Sequence, residues 1–412
     1  MPEPIIYHID VNSAFLSWEA ARRLAADPSS TDLRTIPSVV GGSEENRHGI
    51  VLAKSSPAKI YQIRTGEPLV NARRKCPGLT VVPPDYALYV AQSHAFMELL
   101  RSYAPIVEQY SIDEAFCDMT GTGRLYGSPV EFAGKLKDII RDTLGFTVNI
   151  GVSKNRLLAK MASDFEKPDR VHTLFPEEVP VKMWPLSVDD LFFVGRSTGQ
   201  KLHTLGIHTI GDLARCDVNI LRSHFKKHGE IIWNYANGRD IELVTDHKTA
   251  NKSYGNSVTI AYDVTDAETA KTFLLSLSET IGARIRMDGA YISMVSVSIV
   301  DCDFHRQSHQ SQLSSATNVT EVIYTTACQL FDTLWDHTPL RQIGISTGHI
   351  SGADSQQLDL FHAEENEKLS KLNAAIDSIR SRYGEDSILR ARFVNSEQAH
   401  MTGGLSKEKR TF

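Results

Sequence analysis

Cysteine is scarce in this chain, with five in 412 residues. Cys76, Cys117, Cys216, Cys302 and Cys328 are scattered, with no C-x-x-C pair, so neither a zinc site nor a disulfide framework is indicated. A reducing cytoplasm is the compartment that fits. Long apolar runs are lacking as well, and none reaches the length of a membrane span. The opening Met1-Pro2-Glu3-Pro4-Ile5-Ile6-Tyr7 has no basic region followed by an apolar stretch. We therefore expect a cytoplasmic chain, neither exported nor embedded. A surplus of positive charge is missing too: 44 Lys and Arg stand against 50 Asp and Glu, a net charge of -6. That balance argues mildly against nucleic acid, which usually leaves a basic footprint, although local arrangement overrides a bulk number. What is present is ordinary for a soluble globular protein, 41% hydrophobic and 23% charged. The length exceeds one core and implies several domains.

Within "EQYSIDEAFCDMTG", residues 108 to 121, Asp113 and Glu114 stand side by side in an apolar and aromatic setting. Adjacent carboxylates repel and are costly to desolvate unless something positive lies against them. Ser111-Ile112-Asp113-Glu114 fits the S-x-x-E capping box of a helix start. A helix has no room to continue, however, because the short run Ala115 to Met119 meets the breaker cluster Thr120-Gly121-Thr122-Gly123. With Ile106 to Tyr110 reading as another short strand, the acids sit at the turn of a hairpin with apolar arms. A hairpin tip that holds two acids is a candidate cation site.

Ile5 to Val11 is a short apolar strand ending at Asp10, and Asn12-Ser13 opens a helix from Ala14 to Leu24. Residues 31 to 76 form a small subdomain rich in Lys and Arg. Helices over about 86 to 104 and 129 to 144 flank the hairpin, and a strand comes next at Thr147 to Gly151. After Pro168 the pattern changes to short helices as far as about residue 240. There "LFFVGRSTGQKLHTLGIHTIGDLA" partly matches a helix-hairpin-helix, with an ordinary αα corner as the plainer reading. Residues 250 to 350 read as an independent β-α-β-β-α-β unit. In its central strand Val295, Val297 and Ile299 share one face, while Ser296 and Ser298 share an open one. That open face is either solvated or lies against a backbone or duplex. Past the linker at 351 to 355, Gln357-Leu358-Asp359-Leu360-Phe361 exposes apolar side chains of the kind that mark a partner. The tail helix carries Leu369, Leu372, Ile376 and Ile379 on one stripe.

Taken together, Asp10, "SIDE" and "GVSKNRLLAKMASDFEKP" give the chain a resemblance to Y-family, or translesion, DNA polymerases of the bacterial DNA polymerase IV type, from Ile6 to about Phe393. The resemblance implies an α+β multidomain right hand: palm over 1–30 and 77–168, fingers over 31–76, a helical thumb over 169–240, and a β-α-β-β-α-β little finger over 250–350. Linker, clamp-binding peptide and C-terminal helix and tail would occupy 351–412. It implies template-directed, low-fidelity addition of deoxynucleotides to a primer 3′-OH by two-metal phosphoryl transfer. By resemblance, Asp10, Asp113 and Glu114, with the backbone carbonyl of Val11, would hold two Mg²⁺ ions. Asn12 stands where many relatives have a second aspartate that is not expected to bind metal. Asn12, Ser13, Ala14, Phe15, Ser56, Lys59 and Lys160 would contact the nucleotide, Lys160 through its triphosphate. Phe15 would be the steric gate against a 2′-hydroxyl. Ser56 and Lys59 replace the family's tyrosine and arginine, which removes reach and the bidentate fork. On charge placement alone, Arg156 and Lys160 form a like-charge i, i+4 pair that a bound anion would relieve. Gln357, Leu358, Asp359, Leu360 and Phe361 resemble the peptide that docks bacterial polymerases on the sliding clamp, the beta subunit. The implied partners are primer-template DNA, dNTP and that clamp, with no membrane, for a monomer. Two other classes share parts of the pattern: a non-catalytic DNA- and clamp-bound accessory protein, and a nucleotidyl cyclase built on a related palm.

Overall fold

The computed structural model describes residues 3–44, 47, 49–247, 250–352, 363–394, 396 and 398–402. They fall into two compact units, Met1–Gly42 with Ile50–Lys248 and Ser43–Gly49 with Thr249–Phe412.

In the first unit, strand β1 (Ile6–Val11) leads into helix α1 (Ala14–Ala26). Strands β2 (Ser38–Gly41) and β3 (Val51–Lys54), helices α2 (Ser56–Ile60) and α3 (Leu69–Lys75) and strand β4 (Thr80–Val82) make a small subdomain around the sheet β3-β2-β4. Helix α4 (Tyr86–Arg101) precedes the hairpin of β5 (Ile106–Gln109) and β6 (Glu114–Asp118). The turn α5 (Gly123–Tyr126), α6 (Pro129–Leu144), β7 (Val148–Ser153), α7 (Arg156–Ser163) and β8 (Val171–Thr173) complete a five-stranded sheet of order β5-β6-β1-β7-β8. Alternation along β1 sends Tyr7, Ile9 and Val11 into a core with Leu16, Trp18, Phe96 and Phe146. His8 and Asp10 are left on the opposite face, where Ile6 packs with Phe116 and Ala159 of α7. No helix starts at Ser111: its hydroxyl bonds Asp113 Oδ1 at 2.7 Å within the hairpin turn, so the capping-box pattern is a turn. Beyond β8, α8 (Arg196–Thr204), α9 (Ile210–Arg215), α10 (Val218–Phe225) and α11 (Lys227–Ala236) surround Leu202, Ile210, Leu213, Leu221 and Ile232.

The second unit reads β9 (Gly255–Val264), α12 (Ala267–Met287), β10 (Ala290–Asp301), β11 (Arg306–Thr317), α13 (Thr320–Leu334), β12 (Leu340–Gly352), the β-α-β-β-α-β order expected from the pattern. The sheet runs β11-β10-β12-β9. Val295, Val297 and Ile299 are buried with Leu274, Leu277, Ile281 and Phe331 from the helices. Across the open face Ser296 pairs with Gln310 and Ser346, and Ser298 with Ser308 and Gly344, leaving a smooth surface of small and polar side chains. A Cβ on Gly344 would come within 2.9 Å of Ser298 Oγ, so glycine keeps that surface flat.

Helix α14 (Ala363–Tyr383) comes next, and its seating differs from the apolar stripe. Leu372 and Ile379 are exposed, whereas Asn373 and Arg380 are buried. Glu279, itself buried on α12, accounts for the choice. It receives Arg380 at 2.6 Å and Arg390 at 2.5 Å, and Arg390 reaches on to Glu321 at 2.6 Å. A buried carboxylate without partners is costly, so the helix turns its arginine inward. Gln357 to Phe361 lie outside the described residues.

Candidate active site

Asp10 and Glu114 face each other as register partners on β1 and β6, and Val11 N–H donates to the Asp113 carbonyl at 3.0 Å. The three acids expected to act together are therefore brought to one end of the sheet by two adjacent strands. Helix α7 comes unusually near them because of Gly151 on β7. A Cβ there would lie 1.9 Å from the Ala159 carbonyl oxygen, so only glycine lets the helix backbone rest on the strand.

That approach delivers cations. Lys160 forms an ion pair with Glu114, and Lys167, just past α7, forms one with Asp10 and another with Asp164 at 2.8 Å. Lys160 also lies over the rings of Tyr110 and Phe192, 5.4 Å from each centroid. Its neighbour Arg156 bonds Glu108 at 2.8 Å and Glu242 at 3.0 Å. The like charges at 156 and 160 are thus balanced by carboxylates from β5, β6 and residue 242, and that pair by itself is no sign of a bound anion. His8 Nε2 lies 3.0 Å from the same Glu114 carboxylate, with Nδ1 2.7 Å from Ser163 Oγ.

The electrostatics are set by this packing. Burial pushes the Asp10 carboxyl up to about 6, Lys167 offsetting only part of the effect. Burial raises Asp113 as well, against the Ser111 hydrogen bond and with the Glu114 charge adding to the rise. Burial would also raise Glu114, but His8 and Lys160 outweigh it and hold the carboxyl at about 2. Burial lowers His8, against the hydrogen bond to Glu114. Lys167 loses to burial but gains more from Asp10 and Asp164, rising to about 12.

A cavity of ≈ 280 Å³ opens in front of the acids, lined by Asp10, Val11, Ser13, Ala14, Phe15 and Asp113 on one side and by Leu52, Ala53, Lys54, Lys59 and Thr65 on the other. The N-terminus of α1 enters it without a side-chain cap, since Ser13 makes no capping hydrogen bond. Phe15 is half-buried and stacks on Tyr89 with centroids 4.3 Å apart and planes at 9°. Lys59 reaches the cavity from α2. Ser56 is exposed at the start of that helix, and its neighbour Ser55 is the one that caps it. Asn12 is buried and its amide bonds inside the fold, to Asn149 and to the Asp169 N–H. Lys160 is not among the residues lining the cavity. Among the described residues no three acid, histidine or cysteine side chains stand as a preformed metal cage. Asp10 and Glu114 are each ion-paired with a lysine, Lys167 and Lys160.

Residues 9–164 match the impB/mucB/samB family, residues 251–360 its C-terminal domain, and residues 189–240 the DNA polymerase-iota thumb domain. DNA polymerase IV of Clostridium acetobutylicum is 44% identical over 394 residues, spanning 96% of this chain and 99% of the relative. The chain belongs to the DNA polymerase IV family. These are Y-family, translesion, DNA-directed DNA polymerases. DNA polymerase IV 2 of Bacillus subtilis is 34% identical over 421 residues, covering 99% of this chain and all of that one. A solved Y-family DNA polymerase chimera superposes with a TM-score of 0.71 at 23% identity, over 84% of this chain and 99% of its own, which establishes the shared fold. Among the described residues no helix is long and apolar enough to cross a membrane.

In this member of the family, Lys167 and His8 are site residues that the sequence motifs did not single out. Each had a signal: His8 shares a strand face with Asp10 two positions on, and Lys167 closes the stretch "SDFEKP" just before its proline. The raised Asp10 leads to a prediction. An acid whose folded pKa lies above its unfolded value loses stability as pH rises between the two, here from 3.8 to about 6. Without divalent metal, Asp10→Asn is therefore expected to be more stable than wild type at pH 7.5, by on the order of 2 kcal/mol. The gain should shrink as pH falls through 6 and vanish near 4. Urea titrations in chelator across that range check it, and a pH-independent difference would contradict it.

Proposed function

We propose that this chain adds deoxynucleotides to a primer 3′-OH under the direction of a template, in a site built on Asp10, Asp113 and Glu114. The observation that carries this reading is the meeting of Asp10, Asp113 and Glu114 beside a cavity whose far wall is cationic. Carboxylates and a backbone carbonyl suit a hard divalent cation, so Asp10, Asp113, Glu114 and the Val11 carbonyl are the donors for two Mg²⁺ ions. When bound, such ions lower the cost of forming the 3′-alkoxide and neutralise the triphosphate. Lys160 and His8 hold Glu114 charged, and Lys167 offsets part of the burial of Asp10. Lys167, which meets Asp10 from just past α7, is a further cation at the acids and suits the triphosphate, although like Lys160 it does not line the cavity. Lys59 and the uncapped amides at Ser13, Ala14 and Phe15 offer further phosphate contacts. Lys160, ion-paired with Glu114, is the lysine that the family resemblance assigns to the triphosphate. Phe15, pinned by Tyr89, stands as the gate under the sugar. Within the first unit the five-stranded sheet then acts as palm and the β3-β2-β4 subdomain as fingers beside the cavity, with α8 to α11 as thumb; in the second unit the small-residue face of β10 and β12 is the little-finger surface for the duplex backbone. Extension of a recessed primer by the template-matched dNTP, dependent on Mg²⁺, tests the reading. Tight primer-template binding without any extension would replace it with the accessory-protein reading.

We place the clamp contact at Gln357 to Phe361. The support is chemical: residues 250 to 350 hold fewer bases than acids, so the little finger releases few counterions and its own grip is weak and salt-sensitive. A docked peptide raises the local concentration of polymerase at the primer end without any new DNA contact. Leu360→Ala combined with Phe361→Ala should leave synthesis on short primers intact and remove stimulation by the cognate clamp. Product lengths with and without loaded clamp at moderate salt measure this, and equal stimulation of both proteins would refute it.

A further inference from the structure

Two buried asparagines lie behind the acids. Asn12, at the end of β1, is 8% exposed, and Asn149, on β7, is 0% exposed. Asn12 Nδ2 donates to Asn149 Oδ1 at 3.1 Å. Asn149 Nδ2 donates in turn to the carbonyls of Ser163 at 3.1 Å and Glu166 at 2.7 Å, and its Oδ1 accepts from the Arg170 N–H at 3.3 Å. Asn12 Oδ1 accepts from the Asp169 N–H at 2.9 Å. The connection from α7 to β8 has no strand or helix of its own between 164 and 170; these two side chains hold its backbone at Glu166, Asp169 and Arg170 and tie it to the end of α7 at Ser163, alongside His172 at Glu166 and the Ile150 N–H on the Arg170 carbonyl. In the middle of the span held in this way is Lys167, whose ammonium lies on Asp10.

Buried amides are stabilising only when their polar atoms are satisfied, and here the partners that satisfy them belong to the segment that carries Lys167. We infer that Asn149, together with Asn12, is a positioning residue that sets Lys167 against the site acids and the incoming triphosphate. The inference rests on the polymerase reading above. Neither Asn149 nor Lys167 lines the cavity; Asn149 acts through Lys167, and Lys167 through its ion pair with the lining residue Asp10.

A double-mutant cycle tests this on the full-length chain, with single-nucleotide insertion giving kcat and KM for dNTP, primer-template Kd and thermal midpoint measured alongside. Asn149→Ala should lower kcat/KM for dNTP by about tenfold to a hundredfold, the cost of misplacing a group by about 1 Å, while primer-template Kd holds. In a Lys167→Met background the same change should add less than about twofold, because the group it positions is gone. Asn12→Ser, which leaves the Asn149 bonds to Ser163 and Glu166 in place, should give a smaller loss that also disappears in Lys167→Met. An equal loss in both backgrounds, or a change confined to the thermal midpoint, would make the pair structural only. If Asn149→Ala does not fold, the cycle of Asn12→Ser with Lys167→Met decides by the same criterion. Insertion by Lys167→Met at the wild-type rate would overturn the inference while leaving the polymerase reading standing. Failure of the wild type to extend would remove the polymerase reading itself.

Discussion

Asp113→Ala is expected to lower primer extension by about a thousandfold or more in a protein that keeps its fold. The size reflects the loss of a metal-binding carboxylate, several kcal/mol of transition-state stabilisation. The fold should survive because the Asp113 side chain bonds within its own turn, to Ser111, while its link to β1 is made by the backbone carbonyl, which alanine retains. Removing a carboxyl that burial holds above its ordinary range also relieves some desolvation in the metal-free protein. Extension assays together with far-UV circular dichroism and a thermal midpoint separate the two effects. Near-normal extension by a folded Asp113→Ala would mean that this carboxylate does not hold metal.

Phe15→Ala is expected to cut discrimination against ribonucleotides by about a hundredfold or more, with far less effect on deoxynucleotide insertion. The ring works by exclusion, which requires that it cannot swing away. Tyr89 supplies that restraint: it is fully buried, its hydroxyl lies 3.1 Å from Glu19, and it stacks flat on Phe15. The ratio of kcat/KM for dATP to that for ATP is the quantity to measure. An unchanged ratio would return Phe15 to the role of a packing residue between α1 and α4.

Much of the frame could be read from local pattern. Alternating Val295, Val297 and Ile299 against Ser296 and Ser298 located both the core and the open face of the second unit. The breakers after Met119 distinguished a hairpin from a helix start at Ser111. What stayed hidden depends on pairing between distant segments. The buried face of α14 was set by Glu279, which Arg380 meets across 101 positions of sequence. Apolar periodicity could not reveal a helix seated through an arginine. Arg156 and Lys160 looked like a charge pair waiting for an anion because Glu108, Glu114 and Glu242 come together with them only in the folded sheet. Lys167 was in plain view as a residue type, yet its contact with Asp10 spans 157 positions and depends on a loop held by Asn12 and Asn149.

Asp10, Asp113 and Glu114 are proposed to hold two divalent ions around the reacting groups. Counting Mn²⁺ by electron paramagnetic resonance in a ternary complex with a 3′-deoxy primer-template and matched dNTP tests it most directly. The wild type should retain two ions per protein and Asp113→Ala fewer, with DNA affinity unchanged. Two ions retained equally by wild type and Asp113→Ala would contradict the assignment.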